Sequence, residues 1–93
     1  MTNDFFTNIP DYSGIGIYAL INNRTGKMYI GASQNIHQRI MQHKYHPLRA
    51  IKDDIELGDT FRVEILEKLP SGSNQFDMFG REKYFIDLYD VIK

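Results

Sequence analysis

The stretch from Gly16 to Gly31 restricts the possible folds more than any other part of the chain. It runs Gly16-Ile17-Tyr18-Ala19-Leu20-Ile21, then Asn22-Asn23-Arg24-Thr25-Gly26-Lys27, then Met28-Tyr29-Ile30-Gly31. Two β-branched and aromatic runs joined by a polar Asn/Gly segment form the pattern of a β-hairpin. Side chains alternate along a strand. In an even register Tyr18, Tyr29 and Lys27 therefore share one face, and Ile17, Ala19, Ile21, Met28 and Ile30 share the other. Loop length alone leaves that register open.

The chain has 93 residues, 42% of them hydrophobic, enough for one compact domain and too few for two. The division expected is an N-terminal arm over 1–13, carrying Phe5, Phe6, Ile9 and Tyr12 and packed on the domain, and a single domain over 14–93. Neither an apolar run of about 18 residues nor a charged-then-apolar leader is written in the sequence, so the expected location is cytoplasmic, with no membrane partner. There is no cysteine. Disulfides, thiolate zinc sites and cysteine nucleophiles are excluded, and any metal must be a hard ion on oxygen or imidazole ligands.

The formal charge of −1 conceals a segregation. Residues 12–52 hold Arg24, Lys27, Arg39, Lys44, Arg49 and Lys52, all three histidines and no carboxylate. Residues 53–93 hold ten carboxylates against five basic groups; with Asp4 and Asp11 the first 52 residues come to +4 and the rest to −5. A positive first half suits a phosphodiester backbone, with Lys27, Lys44 and Arg49 as candidate substrate contacts. The alternative is that the two halves neutralise each other across one small fold.

After the hairpin, Asn35 with Gln38 three positions on has the form of a capping box, predicting a helix from about Ile36 to Lys44. Ile36 and Ile40 form its buried stripe. Arg39 and His43, four apart, form a row along the rim of that stripe. Pro47 as first position and Gly58 as stop bracket a second helix with Leu48, Ile51 and Ile55 inward. Phe61 to Leu66 alternates like a half-buried strand. Residues 69–73 break it, and Ser73 or Asn74 caps a last helix reaching about Val91. The order is β-β-α-α-β-α.

Glu82 is the most informative single residue. On a helical wheel Met78, Phe79, Phe85, Ile86 and Tyr89 surround it, placing a carboxylate in the middle of an apolar stripe. Burying such a charge uncompensated costs several kcal/mol or takes up a proton. The spacing leaves two compensations open: a structural ion pair with Arg39 or Lys27, or a divalent cation.

Taken together, Gly16-Ile17-Tyr18, Tyr29-Ile30-Gly31, the helix bearing Arg39 and His43, and Glu82 within Arg81-Glu82-Lys83-Tyr84-Phe85-Ile86 resemble the GIY-YIG nuclease family over about residues 14–92. The resemblance implies an α+β fold, with a small three-stranded antiparallel sheet flanked by three helices. It implies a divalent-metal-dependent DNA endonuclease using one Mg²⁺ or Mn²⁺ ion. Tyr18, Tyr29, Arg39 and Glu82 fall at the family's active-site positions, and His43 matches a histidine found in many relatives. Many relatives also place an asparagine beyond the glutamate helix. Here only Asp90 stands near that place, and it is a poor substitute. Relatives often append a separate DNA-binding region, and the near-neutral charge agrees with a module that relies on an appended or separate one.

On that resemblance, Glu82 would hold the metal, Arg39 would grip the non-bridging phosphoryl oxygens, and Tyr18 would orient or deprotonate the attacking water. Tyr29 and His43 would position the water or help the proton along. A phenol ordinarily titrates near 10, far above neutral; base catalysis by Tyr18 would need nearby cations, Lys27 and the metal's water shell, to lower it, a condition that the roles of Arg39 and Glu82 do not carry. The alternative reading is a non-cleaving DNA-binding or protein-docking module that keeps the fold.

Overall fold

The computed structural model of the chain describes residues 5–89. Met1 to Asp4 of the arm, and Asp90 and Val91 at the expected end of the last helix, lie outside the described residues. The element order is β1 (Phe6–Thr7), β2 (Gly16–Asn22), β3 (Met28–Ser33), α1 (Ile36–Tyr45), α2 (Arg49–Glu56), β4 (Phe61–Lys68) and α3 (Gln75–Tyr89).

The hairpin forms with Tyr18 opposite Gly31, Leu20 opposite Tyr29 and Ile21 opposite Met28. Tyr18 and Tyr29 therefore share a face. β2 also pairs antiparallel with β4, with a register shift between Ile17 and Tyr18, where the partner skips from Glu67 to Ile65. Such a bulge bends and re-aims a strand.

The sheet is not the expected three-stranded antiparallel one. Among the described residues it has four strands in the order β1-β4-β2-β3, and β1 runs parallel to β4, with Phe6 opposite Phe61. The arm adds this strand because Phe5 and Phe6 are buried in the core, and the Phe5 carbonyl accepts from the Phe61 amide at 2.7 Å. A two-residue strand carries too little alternation to be read from sequence.

Both faces of the sheet are covered, so every residue of β2 is buried. On one side Tyr18, Leu20, Phe61 and Val63 pack with Ile36, Ile40 and Ile51 of α1 and α2. On the other, Ile17, Ala19, Ile21 and Ile30 pack with Phe85 and Ile86 of α3. The alternation read in the hairpin is thus two cores divided by one strand.

Local chemistry sets the helix ends. The Asn35 side chain accepts from the Gln38 amide at 3.0 Å, but the Asn35 amide donates to Ser33 Oγ at 3.0 Å; the cap is one-sided rather than a reciprocal box. Pro47 lies just outside α2, whose N-cap is Leu48. Gly58, at φ 90°, ends α2 as expected: its amide reaches the Ile55 carbonyl and the Asp59 amide reaches that of Asp54, the paired bonds of a Schellman stop. Asn74 and Asp77 cap α3 reciprocally, at 2.9 and 3.2 Å.

The hairpin turn is pinned by polar groups. The buried Asn22 side chain accepts from the amides of Arg24 (2.8 Å) and Thr25 (3.0 Å) and donates to Asp59 at 3.0 Å. Arg24 grips Asp59 with two bonds, of 2.6 and 2.8 Å. This pair joins the basic half of the sequence to the acidic half, so Arg24 is one cation the fold itself neutralises.

Candidate active site

Tyr18 occupies the centre of β2 and is 1% exposed. Its ring lies across the neighbouring strand at Gly31, where an added methyl would stand 2.6 Å from both Cζ and Oη of Tyr18. Only a residue without a side chain leaves that path open. The hydroxyl then meets α1, where Tyr18 Oη and His43 Nε2 are 2.8 Å apart. Ile36 and Ile40 anchor α1 to the sheet. The four-residue spacing aligns Arg39 with His43 along the helix, with His43 buried and Arg39 exposed.

Burial raises the Tyr18 hydroxyl above its ordinary range, the neighbouring Tyr29 raises it further, Arg39 opposes this and Glu82 adds to it. Three groups on three elements thus act on one phenol. Lys27 is not among the groups that act on it. Lys27 is exposed and four residues from Gly31, about 13 Å along a strand. It lines a separate small pocket with Tyr29, Ala50 and Asp54. Desolvation, which has no local sequence signature, dominates instead.

His43 is pushed down to about 4, first by burial and then by Arg39. At neutral pH the pair is an unionised phenol against an unionised imidazole. In the tautomer carrying its proton on Nδ1, the imidazole accepts at Nε2 and the phenol donates.

Beside this pair opens a cleft of about 590 Å³ between the end of β3, α1 and the first turns of α3; Ser33, Arg39, Met78 and Phe79 contribute to its wall. Glu82, four residues beyond Met78 and so one turn further along the same helix face, is 8% exposed. The apolar stripe expected around it holds for buried Met78 and half-buried Phe85 and Ile86, but Phe79 and Tyr89 are largely exposed. Tyr18, Tyr29, Arg39, His43 and Glu82 are brought into one neighbourhood. Lys44 at the end of α1 and Arg49 at the start of α2 line none of the cleft, and Lys27 belongs to the far end of the hairpin. Sequence reasoning missed the cleft's glutamines and the outward turn of Phe79, because which residues line the cleft depends on how α1, α3 and the turn after β3 come together.

Among the described residues no group of three His, Cys, Asp or Glu side chains is gathered to hold a metal. Glu82 offers a single carboxylate. That donor set fits a hard ion which keeps most of its positions for water and phosphate oxygens, and does not fit one caged by protein alone.

The chain matches the GIY-YIG catalytic domain over residues 14–91. It belongs to that family, a class of nuclease-type catalytic domains acting on DNA. Comparison with curated proteins returns no match, and comparison with solved structures returns none. Among the described residues no helix is long and apolar enough to cross a membrane.

Proposed function

We propose that the chain is a divalent-metal-dependent DNA endonuclease domain in which Tyr18, His43, Arg39 and Glu82 carry the reaction. The observation that carries this reading is the Tyr18–His43 hydrogen bond, at a position cleared by Gly31 and within the fields of Arg39 and Glu82. Phosphodiester hydrolysis needs a proton acceptor for the water and stabilisation of charge on the phosphoryl oxygens. Tyr18 is too buried to stand as a phenolate. It acts as a relay, accepting the water's proton at Oη while passing its own to Nε2 of neutral His43. Arg39, exposed on the cleft wall, takes the non-bridging oxygens with its planar fork. Tyr29 supports the position of Tyr18. Glu82 would hold one Mg²⁺ or Mn²⁺ ion, which when bound supplies positive charge toward the leaving oxygen.

Nicking of supercoiled plasmid by the purified protein with Mg²⁺ or Mn²⁺ tests the reading. Loss of activity by at least about 100-fold in Arg39→Ala and Glu82→Gln is expected, the scale of removing one group aimed at developing charge. Undiminished nicking in either variant overturns the assignment. Salt-sensitive DNA binding with no nicking under any metal favours the docking module instead.

A further inference from the structure

The cleft beside Arg39 is larger than a phosphate and is lined in a way the hydrolytic chemistry does not use. Gln38 and Gln42 of α1, Gln75 of α3 and Gln34 of the turn between β3 and α1 all line it. All four are exposed. Among its lining residues Arg39 alone is charged. Phe79 stands at its rim, 55% exposed although it lies on a helix packed against the sheet. The volume falls inside the roughly 300–1,000 Å³ typical of small-molecule sites.

A neutral, flat, hydrogen-bonding group attached to a phosphate matches these walls. Amides donate and accept at once, as the edges of nucleobases require, and glutamine is suited to adenine. An exposed aromatic ring offers a stacking platform, which favours bases without regard to sequence. A paired base within a duplex is stacked on both faces and cannot present one to Phe79; an unpaired base can. We infer that this cleft is a subsite for an unpaired nucleobase next to the scissile phosphate, stacked on Phe79 with its edge toward Gln38, Gln42 and Gln75. The inference rests on the nuclease reading for the phosphate at Arg39. It deepens that reading by naming the substrate class, DNA with an unpaired nucleotide at the cut, such as a gap, bulge or flap.

The test separates the two claims. Binding of short oligonucleotides carrying 2-aminopurine, either unpaired or paired in a duplex, is measured by fluorescence in EDTA with the intact chain. The wild type should bind the unpaired form at least about fivefold more tightly and quench its emission. Phe79→Ala should lose roughly tenfold on the unpaired form, Phe79→Tyr should retain the preference, and Leu57→Ala, exposed on the end of α2 away from the cleft, should behave as wild type. Equal affinity for both forms, or a preference that survives Phe79→Ala, overturns the subsite. Nicking of plasmid and of a flapped or gapped duplex with Mg²⁺ or Mn²⁺, run alongside, decides the nuclease reading by itself. Nicking without preference for unpaired DNA sinks only the subsite; the preference without nicking sinks only the nuclease.

Discussion

The two ends of the β2–β3 hairpin bury polar groups in opposite ways. At the turn, Arg24 and Asp59 form an ion pair to which the neutral Asn22 amide also donates, and the Arg24 guanidinium and the Asn22 amide hold the Asp59 carboxyl down to about 2. At the Gly31 end, Tyr18 and His43 are pressed toward their neutral forms by burial. A buried carboxylate whose partners are all supplied locks geometry, because withdrawing one of them leaves the Asp59 charge desolvated and under-satisfied, whereas the exposed Arg24 can turn to water. A neutral hydrogen-bonded pair keeps both partners able to change protonation. The first arrangement suits a clamp and the second a proton relay.

The sharpest way to break the comparison is at the phenol. Tyr18→Phe removes the relay and one neutral hydrogen bond, so nicking should fall by about 100-fold to 10,000-fold while stability drops by about 1–3 kcal/mol, the cost of leaving buried His43 Nε2 without its partner; rates and melting curves of the same preparation check both halves. A variant that melts far earlier would mean that the Tyr18 end is also a clamp.

Asn22→Ala addresses the other end. It strands the Arg24 and Thr25 amides and withdraws a donor from Asp59, costing roughly 1–3 kcal/mol. That corresponds to about 4–8 °C in melting temperature per kcal/mol for a domain of this size. The protein that remains folded should nick at the wild-type rate, because nothing near Tyr18 changes.

Acid titration separates the two ends without mutation. His43 binds its proton at about 4 in the fold against 6.5 ordinarily; between those values the unfolded chain holds the extra proton, so stability falls as pH drops from 6.5 toward 4. Asp59 is lowered from 3.8 to about 2; its contribution is whole above 3.8 and lost as pH falls toward 2. Denaturation midpoints against pH should therefore show an upper step that His43→Gln removes and a lower one that Asp59→Asn removes. Activity should hold down to about pH 5, where an ordinary histidine would already be protonated.

The smallest effect belongs to the surface. The Lys83–Asp87 pair of α3, at 3.0 Å with both side chains exposed, should lose less than about 0.5 kcal/mol in Lys83→Ala, measured in low salt.

The elements that carry this contrast were legible beforehand, in proportion to how local their cause is; the contrast itself was not. The period-two alternation marked the two faces of β2, Asn35 marked the start of α1, Gly58 marked the stop of α2, and the apolar wheel marked Glu82 as buried. The parallel strand β1 was not legible, because two residues carry no period and its cause is the burial of Phe5 and Phe6 against Phe61. Nor was the Tyr18–His43 contact, which spans 25 positions. The upward shift of Tyr18 was not legible for the same reason: charges can be counted along a chain, but the depth of water exclusion around a ring belongs to the assembled fold. The clamp at Asp59 left no trace either, since Asn22 and Arg24 read simply as turn residues.

β2 carries the clamp at one terminus and the phenol near the other, and lies sealed between two cores. Alterations there would disturb foundation and reactivity together, whereas the glutamines and Phe79 sit on helix surfaces whose replacement leaves both cores intact. The fold thereby segregates what must stay constant from what is free to diversify, so that new substrate preferences are accessible by changing α1 and α3 alone.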